Sequence, residues 1–212
     1  MRLVFASNNA HKLAEVREIM PAGIEVLSLR EIGFEQEIDE TGTTLEENSE
    51  IKAAAVAAFI NGKWKMDNGQ LTIDGVFADD TGLEIDALDG KPGVYTARWY
   101  SQMDNGHMSE REIFAANRAK ALRELEGKTE RGAQFRTVIT LIKVSGERLS
   151  VSGIVRGRIA TEEYGEGGFG YDPIFIPEGY EKTFGELPAE VKNGISHRAR
   201  ALQELVKVIG DR

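Results

Sequence analysis

Two hydrophobic periods alternate along this chain, and the switches between them mark its elements. Residues 2–6 (RLVFA) read as a short buried strand, and residues 12–20 as a helix with Leu13, Val16, Ile19 and Met20 on one face. Residues 24–29 predict a second strand, followed by an acidic loop over 35–42. Thr44 and Glu47 have capping-box spacing and open an alanine-rich helix over 45–59, which Asn61-Gly62 is expected to end. Residues 63–75 carry the turn signals Asp67-Asn68-Gly69 and Asp74-Gly75 and read as a peripheral hairpin. Val76-Phe77-Ala78 then reads as the buried end of a strand, with Asp79-Asp80-Thr81-Gly82 as the turn where the chain leaves the sheet. A strand with one polar face follows over 83–88, then a turn cluster over 89–93 and a loop over 103–107.

Ser109 and Glu112 form a second capping box, opening a helix to residue 125 with Ile113, Phe114, Asn117, Ala121 and Leu125 inward. Residues 135–144 and 149–159 predict long neighbouring strands around Ser145-Gly146. Ser196-His197-Arg198 open a last helix with Ala199, Leu202, Leu205, Val206 and Ile209 on its inner face. Strands alternating with helices, one pair joined by a tight turn, predict an α/β protein with a long mixed sheet. No internal repeat or interdomain linker breaks the 212 residues.

Composition narrows the function classes. A formal net charge of -9 argues against broad binding to nucleic acid. No apolar run is long enough to span a membrane, and the first residues lack a signal-peptide layout. With no cysteine, disulfides and thiolate metal sites are excluded, which fits a reducing cytoplasm.

Four stretches carry candidate chemistry. Residues 7–12 (Ser7, Asn8, Asn9, Ala10, His11, Lys12) join a strand to a helix start, where unpaired N–H groups attract anions. Asn8 or Asn9 could equally be a plain helix cap. Lys12 opposes the helix dipole unless an anion faces it, and the same holds for His197 and Arg198. Asp79 and Asp80 end a buried strand, which suits a divalent metal or a water to be deprotonated, or else a solvated turn. Glu40 lacks the local capping job that Glu47 has. Gly167, Gly168 and Gly170 let backbone approach a ligand, and Phe169 and Tyr171 are able to stack on a planar base or to fill the core. One ligand accounts for all four stretches: a nucleoside polyphosphate with a divalent metal. No Walker-type loop or kinase motif set is present.

Taken together, SNNAHK (7–12), ETG (40–42), EN (47–48), FADDTGL (77–83), PGVYTAR (92–98), GGFGYDPIF (167–175), Lys192 and SHR (196–198) resemble the inosine triphosphate pyrophosphatase family. The resemblance runs from residue 7 to residue 198. It implies a single domain over 1–212 with two lobes around a central cleft, and hydrolysis of ITP, dITP and XTP to monophosphate and pyrophosphate. It further implies Mg²⁺ as cofactor, a homodimer in the cytoplasm, and neither nucleic acid nor membrane as partner. Residues 7–12 would bind phosphates, and Asp80 would be proton acceptor and metal ligand. Glu40 and Asp79 would be further metal contacts and Thr81 a substrate contact. Phe169, Gly170, Tyr171 and Asp172 would form the base pocket, completed by Lys192, His197 and Arg198. Ser7-Asn8-Asn9 stands where many members have Thr-Gly-Asn. The rival readings are a Maf-like pyrophosphatase for modified pyrimidine nucleotides and a non-catalytic nucleotide sensor.

Overall fold

The computed structural model describes residues 1–63, 73–100 and 108–210. Its elements run β1 (Arg2–Phe5), α1 (Ala10–Ile19), β2 (Glu25–Leu27), α2 (Leu45–Lys63), β3 (Gly75–Ile85), β4 (Lys91–Gly93), α3 (Glu110–Glu124), β5 (Gly132–Lys143), β6 (Arg148–Ile159), β7 (Phe175–Pro177), α4 (Ala189–Ile195) and α5 (His197–Gly210). The strands hydrogen-bond in the order β2-β1-β3-β5-β6-β7, with β4 added on β3. Pairing is parallel for β1 with β2 and β3, and antiparallel for β3 with β4 and β6 with β7. The sheet is therefore mixed, as the pattern of strands predicts.

The chain divides into two compact units. The first holds Met1–Asp80, Thr137–Gly153 and Arg198–Arg212. Here strand alternation sends successive residues to opposite faces. Val4, Ala6, Val76 and Ala78 pack with Ala53, Val56 and Ile60 of α2. Leu3, Phe5 and Phe77 pack with Val16 of α1 and Leu202 and Leu205 of α5. Phe5 and Phe77 stack with centroids 5.0 Å apart. Ser49 pins α2 to the sheet: its hydroxyl donates to the Ala78 carbonyl at 2.9 Å and accepts from the Thr140 N–H at 2.9 Å.

The second unit holds Thr81–Arg136 and Ile154–His197. Leu83, Ile85, Phe135, Val155, Ile159, Phe175 and Phe184 form its core with Ala121 and Leu125 of α3. Ser109 and Glu112 form the expected capping box.

Several expectations need correction. Residues 79–82 form no turn: β3 runs without interruption from Gly75 to Ile85. The carboxylates stay in the strand because protein cations meet them, as described below. Residues 86–88, expected to continue a strand, form a 3₁₀ turn, and Lys91–Gly93 in the turn cluster is a short strand. Helix α2 does not stop at Asn61-Gly62 but continues to Lys63. A glycine inside a helix costs only about 1 kcal/mol, which the packed face of α2 outweighs. Helix α4, over Ala189–Ile195, precedes the expected last helix and has no counterpart among the expected elements. The expected loop at 103–107 and residues 64–72 of the expected hairpin lie outside the described residues.

Phe77→Ala removes a fully buried ring from the stack with Phe5. It is expected to lower stability by about 3–5 kcal/mol, read as a shifted urea midpoint.

Candidate active site

In the first unit, seven charged side chains interlock around β3. Asp79 and Asp80 are neighbours in a strand, so they point to opposite faces. Asp79 follows Phe77 onto the face of α1 and α5; Asp80 follows Ala78 onto the face of α2. Their environments differ accordingly.

Asp79 is 1% exposed, and each of its oxygens meets a cation. Lys12 Nζ donates to Oδ1 at 3.0 Å, and Arg198 Nε donates to Oδ2 at 3.0 Å. Arg198 also donates to Glu15 of α1. Burial alone would raise the Asp79 carboxyl, but Lys12, Arg198 and Lys52 outweigh it and hold it well below the usual carboxylate range. Lys12 is pushed down by burial, which its attraction to Asp79 offsets only in part. Geometry thus makes Asp79 the counter-ion of a buried arginine and a partly buried lysine, a poor arrangement for a metal ligand.

Asp80 is 8% exposed. Lys52 Nζ lies 3.4 Å from its Oδ1 and 3.2 Å from Glu40 Oε2. Asp80 Oδ2 is buried with no hydrogen-bond partner. Burial raises the Asp80 carboxyl above its ordinary value; Lys52 and Lys12 oppose the shift, and Glu40 and Asp79 add to it. Glu40 is held by its loop. Asn48 Oδ1 accepts from the Gly42 N–H at 2.8 Å, and Glu47 Oε2 accepts from the Thr43 and Thr44 N–H groups. A Cβ on Gly42 would meet Asn48 Oδ1 at 2.6 Å, so this close approach requires glycine.

Residues 7–12 form the tight entry to α1. Asn9 is the cap: its Oδ1 accepts from the Lys12 N–H at 3.0 Å, and Ser7 Oγ accepts from the Asn9 N–H at 3.2 Å. Asn8, Ala10 and His11 are exposed. The structure brings residues 7–12, Glu40, Asp79, Asp80 and Arg198 into one unit.

The remaining candidates, Thr81, the glycine loop, Lys192 and His197, belong to the second unit. Asp172, 3% exposed, accepts at Oδ2 from the Phe169 N–H at 2.5 Å and from Lys192 Nζ at 2.7 Å. Gly168 has φ +79°, and a Cβ there would lie 2.3 Å from Asp172 Oδ2. The loop therefore closes on this ion pair only because position 168 is glycine. Arg118 fixes the next turn, donating to the Gly170 carbonyl at 2.9 Å. Phe169 is half-buried, edge-on to Phe114 at 4.6 Å. His197 is buried, its ring tilted against Phe135 with centroids 4.8 Å apart. Tyr171 departs from the stacking expectation. Its ring is 2% exposed in the core, and its hydroxyl donates to the Thr96 carbonyl at 3.0 Å. Burial raises that hydroxyl far above its ordinary pKa.

Sequence reasoning missed Lys52, Glu15 and Arg118. For Lys52 a signal was present: Asn48, Lys52 and Val56 recur at i, i+4 on a helix face that is otherwise alanine-rich and buried. A lone lysine on such a stripe demands an acidic partner.

Asp79→Asn leaves buried Arg198 and partly buried Lys12 without their shared carboxylate and is expected to cost about 3–5 kcal/mol at neutral pH. The folded-state pKa of Asp79 is depressed, so its contribution is complete above the unfolded value of about 3.9 and is lost as pH falls through the folded value. Urea midpoints of the two proteins should differ by a constant amount from pH 7 to pH 5 and converge below about pH 4.

The Ham1 family profile matches residues 3–208. The dITP/XTP pyrophosphatase of Flavobacterium johnsoniae is 43% identical over 209 residues, covering 99% of this chain and 98% of its own length. The dITP/XTP pyrophosphatase of Bacillus subtilis is 45% identical over 209 residues, covering 97% and 96%. Among solved structures, the Staphylococcus aureus Ham1 protein superposes with a TM-score of 0.80 at 37% identity, over 100% of both chains. A nucleoside-triphosphatase / dITP/XTP pyrophosphatase from Mycobacterium abscessus does so with a TM-score of 0.69 at 37% identity, over 97% of this chain and 98% of that one. By the profile match and by relatives alike over nearly the whole length, the chain belongs to the Ham1 family.

Proposed function

We propose that this protein hydrolyses non-standard purine nucleoside triphosphates (dITP, XTP and ITP) between the α and β phosphates, releasing the monophosphate and pyrophosphate. The names of the relatives support the reaction, and the family resemblance of the motifs points to the same substrates. The observation that carries the mechanism is Asp80: a buried carboxylate with one oxygen unpaired, beside Glu40 on the edge of a cluster of ion pairs.

Mg²⁺ fits these donors. It prefers carboxylate oxygen, takes one or two protein carboxylates, and completes its shell with water and substrate phosphates. Among the described residues no three acidic or histidine side chains gather into a metal cage. A shell of Asp80 and Glu40 needs no such cage. When bound there, the ion would spread the charge of the phosphate oxygens.

The chain's own residues supply the rest. The N–H groups at the start of α1, with Lys12, bind phosphate oxygens and hold the pyrophosphate as it leaves. Asp80 accepts the proton of the attacking water, which a raised pKa favours. Asp79 acts as anchor: it fixes Lys12 and Arg198 in position. The loop of Phe169, Gly170, Tyr171 and Asp172, closed by Lys192, takes the base together with His197, and Tyr171 contributes backbone while its ring stays in the core. Hypoxanthine and xanthine present a 6-oxo acceptor where adenine presents an amino donor. Backbone N–H groups of the loop only donate, so adenine's amino group would be left unpaired. Among the described residues no helix is long and apolar enough to cross a membrane. A homodimer acting in the cytoplasm remains part of the proposal, with gel filtration against the 23.4 kDa chain as its check.

Turnover with Mg²⁺ should yield pyrophosphate plus IMP or XMP, with ATP and GTP largely spared. Orthophosphate release would contradict the reading. Turnover of modified pyrimidine nucleotides would favour the Maf-like rival, and binding without turnover the sensor. Asp80→Asn is expected to keep ITP binding by calorimetry and to lower kcat by about 10²–10⁴-fold.

A further inference from the structure

Lys52 is a cation of this cluster to which the proposed reaction assigns no use. It sits on α2 and is 7% exposed, and its ammonium lies between the two carboxylates assigned to the metal, 3.2 Å from Glu40 and 3.4 Å from Asp80. A buried ammonium is costly unless paired, and two buried or half-buried carboxylates repel each other unless a cation lies between them. Four carboxylates (Glu15, Glu40, Asp79, Asp80) meet three cations (Lys12, Lys52, Arg198) in this cluster. The cluster is one positive charge short, and a divalent ion added without loss of Lys52 would leave it one positive charge in excess, ready for an anionic polyphosphate.

Resting on the functional reading above, we propose that Lys52 is the internal counter-ion of the metal site. It holds Glu40 and Asp80 in place while no metal is bound. A divalent cation on the same oxygens would displace the ammonium from the carboxylates. The anchoring of its helix suits this exchange. Ser49 fixes α2 to β3 and β5 one turn earlier, so the flexible four-carbon stem moves while the backbone stays.

The test is Mn²⁺ binding to the nucleotide-free protein, followed by the electron paramagnetic resonance of free Mn²⁺. Lys52→Met removes the competing charge and is expected to bind Mn²⁺ about tenfold or more tightly than the unsubstituted protein. Lys52→Arg keeps the charge and should stay near it. Without metal, Lys52→Met should melt at lower temperature, and Mn²⁺ should recover more of its melting temperature than in the unsubstituted chain. Equal or weaker Mn²⁺ binding by Lys52→Met would overturn the proposal. Should that variant not fold, the side-chain ¹H–¹⁵N signal of Lys52 in the unsubstituted protein decides. It must shift on addition of Mg²⁺, and an unmoved signal under saturating Mg²⁺ overturns the exchange. Because no nucleotide is present, failure here is distinct from failure of the hydrolysis reading, which ITP turnover alone decides.

Discussion

The alternation of β3 at Asp79 and Asp80 is the constraint from which the first unit's arrangement follows. Two adjacent carboxylates inside a sheet cannot share one partner, because the strand turns them to opposite faces. Each face must answer with cations. On one, Lys12 and Arg198 come from the first turns of α1 and α5 and saturate Asp79. On the other, Lys52 comes from mid-helix and spans Asp80 and Glu40, leaving one Asp80 oxygen unpaired. Identical side chains thus take different work. The saturated one holds its partners still, and the unsaturated one keeps an oxygen for the metal and proton of the proposed reaction.

This division also explains the cations at helix N-termini. Opposing the helix dipole costs about 0.3–1 kcal/mol each, and a shared buried carboxylate outweighs that. Part of what reads from the sequence as attraction to a phosphate is attraction to Asp79. The second unit uses the same device once more. Lys192 neutralises buried Asp172, whose Oδ2 also gathers the Phe169 N–H, and so a glycine loop gains a fixed shape.

What was legible in the sequence follows from what is local. Capping boxes at Thr44 and Ser109, the turn at Ser145-Gly146 and the apolar faces of the helices depend on neighbours within a few residues, and they were read correctly. The continuity of β3 was not legible. Asp-Asp-Thr-Gly has turn chemistry, and the cations that offset the burial of its carboxylates in the sheet come from residues 12, 52 and 198. The same distance hid the core position of Tyr171, whose hydroxyl finds its acceptor at Thr96. The candidate residues were found as types in a pattern; their pairing was not, because an ion pair between residues 79 and 198 leaves no local trace.

The central claim is that a water activated at Asp80 attacks the α-phosphorus of the nucleotide. Single-turnover hydrolysis of ITP in water enriched in oxygen-18, with the products resolved by mass spectrometry, tests it most directly. The account predicts one labelled oxygen in IMP and none in pyrophosphate. Label in pyrophosphate would place the attack on the β-phosphorus and contradict it.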